Sequence, residues 1–169
     1  MTLAQLNLLS SHDMPRFLTL VGGDRDALKL AMLFQMTFPG APCIYYGDEV
    51  GMQGGSDPDC RRSFRWDEEV WDEDLLAYVR RANALRHEHP ALRHGHYARL
   101  LASDSQDVYA FARTAEEETL VVVLNNAAHP YELDLDLGSL FPADGSLKDV
   151  WAGREARVSQ SRAVGATVP

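Results

Sequence analysis

The chain opens on a short apolar run, Leu6-Asn7-Leu8-Leu9-Ser10-Ser11, that passes directly into the polar stretch His12-Asp13-Met14-Pro15-Arg16. A near-continuous apolar run of this length reads as a strand covered on both faces, the pattern of a parallel sheet. Gly22-Gly23-Asp24 then offers a turn and an N-cap, and apolar residues at 27, 28, 30, 31, 34 and 38 keep helical spacing up to Pro39-Gly40. The spacing predicts a helix from about Arg25 to Phe38. A second apolar run, Ala41 to Tyr46, leads into Gly47-Asp48-Glu49, repeating the strand-to-polar transition. Strand, helix and strand in this order form a βα unit with parallel strands and a right-handed crossover. Both transitions then point the same way, and the chemistry of such sheets sits where the strands end. Tyr45 and Tyr46 alternate in direction along an extended strand, so at most one reaches that rim.

Residues 47 to 72 are rich in Gly, Asp and Pro and have no period, which predicts a long functional loop. A second helix is expected from about Asp74 to His89, with Leu75, Leu76, Tyr78, Val79, Ala82 and Leu85 on one face, acids in its first turn, and Arg80, Arg81 and Arg86 toward its end. Pro90 stops it. From Tyr97 the period changes to short β-type runs: Tyr97 to Ala102, Val108 to Arg113, Thr119 to Asn125 and Tyr131 to Leu135, with weaker ones near 147–151, 155–158 and 163–167. Turns separate them at the spacing of an antiparallel β-sandwich. The expected fold class is therefore α/β followed by all-β, with domains at 1–92 and 93–169. The β part pairs neighbouring strands and can fold alone, whereas two parallel strands and two helices cannot close a sheet on themselves.

Composition narrows the function classes. The 169 residues are 46% hydrophobic, which excludes a disordered tail, and 16 basic against 25 acidic residues give a net charge of −9. That charge repels phosphate backbones and anionic lipid surfaces, so neither nucleic acid nor membrane is an expected partner. The start lacks a basic n-region and a secretory apolar stretch, and no run approaches a membrane span, which reads as cytoplasmic. Cys43 and Cys60 suggest reduced thiols rather than a disulfide framework. The stretch from His87 to His96 is rich in histidine, but Pro90 and Gly95 break it into helix end and loop, and a helix C-terminus favours imidazolium without any metal. No Gly-rich phosphate loop or CxxC pair appears, and Ser10-Ser11-His12-Asp13 is contiguous, so it cannot supply a triad converging from separate places. No metal or cofactor is expected.

Two segments carry more specific information. SSHDMPRFLTLVGGD and FPGAPCIYYGDEVGMQGGSDPDCRRSFRWD resemble the seventh and eighth strand regions of the α-amylase family of glycoside hydrolases, and within it the neopullulanase, cyclomaltodextrinase and maltogenic amylase branch. The resemblance implies the last two βα units of a (β/α)₈ barrel followed by the family's C-terminal β-domain. It also implies retaining cleavage of α-glucosidic bonds in cyclodextrin, pullulan or starch oligosaccharides. Asp13 would then stabilise the transition state by hydrogen-bonding the distorted sugar ring, and His12 would hydrogen-bond hydroxyls of the same sugar. Asp57 and Arg61 would contribute to donor-side sugar binding. The residue-level alternatives are a turn or cap for Asp13, a core group for His12, and local salt bridges for Asp57 and Arg61. Arg16 and the Asp48-Glu49 pair read as structural. The family's nucleophilic Asp and acid/base Glu belong to the fourth and fifth barrel strands and have no counterpart here, so the chain is expected to be an inactive C-terminal piece of a longer enzyme. Rival readings are a weak carbohydrate-binding module using Asp57, Arg61 and Trp66, and a fragment that self-associates through its incomplete barrel face.

Overall fold

In the computed structural model, residues 4–116 and 118–169 are described. The chain divides into two compact units, Met1–Gly95 and His96–Pro169. The first unit runs β1 (Leu6–Leu8), α1 (Phe17–Leu20), α2 (Arg25–Thr37), β2 (Ala41–Cys43), three single-turn 3₁₀ helices at Asp48–Val50, Asp59–Arg61 and Glu68–Val70, α3 (Glu73–Glu88) and α4 (Pro90–His94). β1 and β2 pair in parallel, Leu6 opposite Ala41 and Leu8 opposite Cys43, joined through α2. Asp24 caps α2 by accepting from the amides of Asp26 and Ala27, both at 3.0 Å. Asp72 caps α3 through the Leu75 amide.

Several sequence expectations need correction. Each strand is only three residues long. Tyr45 and Tyr46 lie beyond β2, so they do not alternate; their rings touch at 4.6 Å between centroids. The loop after β2 is not wholly irregular, since three 3₁₀ turns punctuate it, and Pro90 ends α3 but also starts α4, where its fixed φ and missing amide suit a first helical position. The largest difference concerns burial. Leu6 is 59% exposed and Leu8 40%, although the apolar run read as a strand covered on both faces. Alternation puts Leu6 and Leu8 on one face and Asn7 on the other. The Asn7 side is tied to α2: the buried Gln35 amide donates to the carbonyls of Asn7 (2.7 Å) and Cys43 (2.9 Å), clamping both strands. Among the described residues of this unit the leucine side has no comparable cover.

The core of the first unit gathers Leu18, Leu28, Met32, Leu75 and Val79, flanked by Leu9, Phe17, Val21 and Ile44. Arg86 of α3, almost wholly buried, donates to the carbonyls of Met36 and Gly40 at 2.6 Å each, satisfying orphan acceptors between α2 and β2. Burial and the nearby Arg93 guanidinium push its pKa down. Gly40, at φ +117°, lets the Gln5 backbone pass close by, for a Cβ there would lie 2.6 Å from the Gln5 carbonyl oxygen.

The second unit holds two antiparallel sheets, β3 (His96–Ser103), β4 (Val108–Thr114) and β5 (Thr119–Asn125) in one, and β6 (Tyr131–Asp136), β7 (Gly145–Lys148), β8 (Glu155–Ser159) and β9 (Arg162–Val168) in the other, ordered β6-β9-β8-β7. Buried Ala110 from β4 packs with Leu135 of β6, Leu137 just after that strand, Val158 of β8 and Ala163 of β9, so one apolar cluster serves both sheets. Among the described residues no helix is long and apolar enough to cross a membrane.

Candidate functional site

The site is built on one buried cation. Arg16 follows the His12-Asp13 turn, is fully buried, and its Nη1 donates to the Tyr46 carbonyl (2.8 Å) and to Asp48 Oδ1 (2.9 Å). Its guanidinium carbon lies 4.7 and 4.9 Å from the ring centroids of Tyr45 and Tyr46. Desolvation makes such a charge expensive, and carboxylate plus aromatic faces offset the cost. Burial also pushes the Asp48 carboxyl above its ordinary value, while hydrogen bonds with Ser10 and Arg16 pull the other way. Arg16 and Asp48 are structural, as their types in these positions suggested; what the sequence did not disclose is that they are each other's partner across two strand ends.

On this base the turn after β1 is tight. Ser10 Oγ accepts from the Phe17 amide at 3.0 Å, Ser11 Oγ accepts from the Asp13 amide at 3.1 Å, and Ser11 bridges to Met14. The polar groups of this turn face outward: the side chains of His12 and Asp13 are 66% and 77% exposed, with His12 Nε2 3.1 Å from Asp13 Oδ2. His12 is thus not a core group.

The loop that carries Asp57 and Arg61 is stitched to this turn. The Arg16 amide donates to the Gly54 carbonyl (2.9 Å), the Gly54 amide to Thr19 Oγ1 (2.8 Å), and the buried Cys60 thiol to the His12 carbonyl (3.2 Å). Glycine is required at 54, because a Cβ there would lie 2.7 Å from the Asp59 carbonyl oxygen. Asp59 accepts from the Gly55 amide and from Arg62 Nε, both at 2.6 Å, and these bonds hold its carboxyl below the usual range. Asp57 and Arg61 form an exposed ion pair. Tyr46 closes the loop by donating its hydroxyl to the Arg62 carbonyl. Trp66 stands 82% exposed, edge-on to Phe64.

The four residues singled out by sequence, His12, Asp13, Asp57 and Arg61, therefore sit on two segments held together by backbone and side-chain hydrogen bonds. The Cys60 clasp was missed, and nothing in the spacing of a lone cysteine in a Gly/Asp loop announces it. Chemically, the surface offers exposed acceptors, an imidazole and a guanidinium on a preorganised base, the mixture that engages a neutral polyol. Among the described residues no three His, Cys, Asp or Glu side chains are grouped to hold a metal ion.

Comparison with known proteins supplies the family. Residues 1–74 match the model of the α-amylase catalytic domain, and residues 97–169 match the neopullulanase-like C-terminal domain. The chain belongs to the α-amylase family. It is 45% identical over 134 residues to a cyclomaltodextrinase of Geobacillus thermopakistaniensis (strain MAS1), an alignment covering 79% of this chain and 23% of that enzyme. Neopullulanase 2 of Thermoactinomyces vulgaris is 46% identical over 120 residues, 71% of this chain and 20% of the relative. The crystal structure of Ttha1563 from Thermus thermophilus superposes with a TM-score of 0.87 at 40% identity, covering 96% of this chain and 33% of that one. The chain spans about a quarter or less of the length of these two curated relatives. Two family models matching consecutive segments place an amylase-type catalytic portion in front of an appended β unit within this one chain.

Proposed function

We propose that the chain is the C-terminal part of a retaining α-glucan hydrolase, acting as part of a longer enzyme on cyclodextrin, pullulan or starch oligosaccharides. In this reading the first unit is the closing pair of βα units of a (β/α)₈ barrel and the second is its antiparallel β-sandwich, with the division near residues 92 to 96. The observation that carries it is the placement of Asp13: an exposed carboxylate in the turn that follows a parallel strand, three residues before the Arg16 of the buried Arg16–Asp48 pair, on a turn joined through the Cys60 thiol to the loop bearing Asp57 and Arg61. Catalytic groups of parallel barrels occupy that rim. Asp13 stabilises positive charge developing on the sugar ring, His12 holds hydroxyls of the same sugar, and Asp57 with Arg61 engages the donor side. The exposed leucine face of β1 supports the barrel reading, since an inward-facing strand surface needs other strands against it. Two free thiols suit the reducing cytoplasm.

Retaining hydrolysis needs two carboxyl groups about 5 to 5.5 Å apart. We place both the nucleophile and the acid/base upstream of this sequence, so the 169-residue chain mixed with cyclodextrin or pullulan releases no reducing sugar above blank; measurable turnover refutes that assignment. In the full-length enzyme, Asp13→Asn lowers kcat by about 10²- to 10³-fold with little change in KM, the mark of an interaction realised in the transition state. A rise in KM at constant kcat would make Asp13 a substrate holder instead. The exposure of Leu6 and Leu8 favours one second reading, self-association of the isolated chain through that face. A monodisperse monomer by sedimentation removes it.

A further inference from the structure

The second unit contains a cleft of about 170 Å³ between the β3–β4 turn and the segment entering β6, lined by Gln106, Asn125, His129, Pro130, Tyr131 and Glu132 among others. Its volume is below the roughly 300 to 1,000 Å³ of sites for drug-sized ligands, which restricts it to a small group such as one sugar ring. The frame is fixed from behind. Buried Asn125 uses its amide completely, donating from Nδ2 to the carbonyls of His129 (2.9 Å) and Val168 (3.3 Å) and accepting at Oδ1 from the Ala127 amide (3.0 Å). Thr167 Oγ1 donates to Glu132 Oε1 at 3.1 Å, which orients that carboxylate and leaves Oε2 for a ligand.

The lining combines an amide, an imidazole, a carboxylate and the half-buried ring of Tyr131. It includes no lysine or arginine, and the chain carries a net charge of −9, so an anionic ligand is disfavoured. Mixed donors and acceptors beside one aromatic ring suit a neutral ring that bears hydroxyls on its edge and C–H groups on its face. We propose that this cleft binds one glucose unit of an α-glucan, a holding site carried entirely by the second unit. The choice of α-glucan rests on the functional reading above; the choice of a neutral sugar rests on the cleft.

The test uses the isotope-labelled 169-residue chain titrated with maltotriose and, separately, with cellobiose, a β-linked glucose disaccharide, followed by amide NMR. A ligand of this size engaging one ring binds with a Kd on the order of 1 to 10 mM. Maltotriose is expected to shift the amides of Gln106, Ala127, His129, Tyr131 and Glu132 saturably, and cellobiose at least about fivefold more weakly. Tyr131→Ala and, independently of any effect on folding of β6, Gln106→Ala in the exposed turn each raise Kd at least about threefold. Asp57→Ala leaves these shifts unchanged. No saturable shift at the cleft amides, or unchanged affinity in Gln106→Ala and Tyr131→Ala chains that retain a dispersed spectrum, overturns the site. Equal binding of cellobiose overturns the α-glucan assignment. Loss of activity in the full-length Asp13 variant bears only on the earlier reading, so the two fail separately.

Discussion

In the first unit the described buried polar residues are Ser10, Arg16, Gln35, Thr37, Asp48 and Arg86, whereas in the second they are Arg113 and Asn125. Among the described residues, the first unit has a two-stranded parallel sheet with exposed leucines, and the second has seven strands in two antiparallel sheets around a shared apolar cluster. Both units bury an apolar cluster, but the first adds several buried polar clamps at its strand ends, whereas the second relies more fully on non-directional burial. Clamps such as Arg16–Asp48 and Gln35 fix the direction in which a strand tip presents its loops, which is what a rim needs. They contribute little net stability once desolvation is counted. Burial across two sheets fixes no catalytic geometry but stabilises a domain by itself. The division of labour predicts that the functional unit is the fragile one.

The most drastic way to break the comparison is to separate the units. Residues 96–169 expressed alone are expected to give a dispersed amide spectrum and the higher-melting transition, and residues 1–95 alone a lower-melting, broader one, because a two-stranded sheet open on one face adds little to its helices. A melt of 1–95 as high and as sharp as that of 96–169 would show that its helices and clamps suffice.

Next in size are single substitutions confined to one unit. Arg16→Met leaves Asp48 buried without its cation, and removing one member of a buried pair costs about 3 to 5 kcal/mol. The loss should appear in the first transition of a denaturant titration, with the second unmoved. Leu135→Ala, at a site 2% exposed in the shared cluster, should do the reverse at about 2 to 5 kcal/mol. Double substitution of Arg16 and Asp48 by apolar residues should recover much of the first loss, since no unpaired charge then remains; failure to recover would mean the pair supplies packing shape rather than charge compensation.

Alkaline pH strains both units, through Tyr78 in the first and Tyr97 in the second. Burial pushes Tyr78 on α3 to about 12, and burial with a hydrogen bond to Tyr109 pushes Tyr97 on β3 to about 12. Each folded value lies above the unfolded one of about 10, so the stability these phenols lend is complete below pH of about 10 and is lost as pH rises toward about 12. Tyr78→Phe should flatten the alkaline slope of the first transition alone, and Tyr97→Phe that of the second. A slope that follows the wrong unit would contradict the assignment of each transition.

The same contrast explains what was legible in the sequence. Strands β3 to β6 and helices α2 and α3 were readable to within a residue or two, because their signals are local: Asp24 caps α2 from one position away, and Thr119–Asn125 is a short run rich in β-branched apolar residues. The pairing of Arg16 with Asp48, 32 residues apart, has no period, and a cysteine thiol reaching a carbonyl 48 residues earlier has no composition signal. The burial of β1 was misread for a related reason: an apolar run records the environment a strand is suited to, and the cover it is suited to is not among the residues that accompany it here. His12, Asp13, Asp57 and Arg61 came forward through motif resemblance, and local chemistry alone left turn, core and salt-bridge alternatives open.

The smallest effect tests whether the Gly54–Arg62 loop of the fragile unit is nonetheless preformed. Asp59 is held below its ordinary value of 3.8 by the Gly55 amide first and by Arg62 second. A depressed folded pKa means that its contribution to stability is present above about pH 4 and is lost as pH falls through the folded value. Carboxyl-carbon NMR on the 169-residue chain should place Asp59 below 3.8, and Arg62→Ala should move it only part of the way back, because the backbone donor remains. If Arg62→Ala restores the ordinary value in full, the Gly55 amide does not engage the carboxylate in solution. The Gly54–Arg62 platform would then be ordered by its exposed ion pairs, which salt screens, and the loop would share the fragility of the unit that carries it.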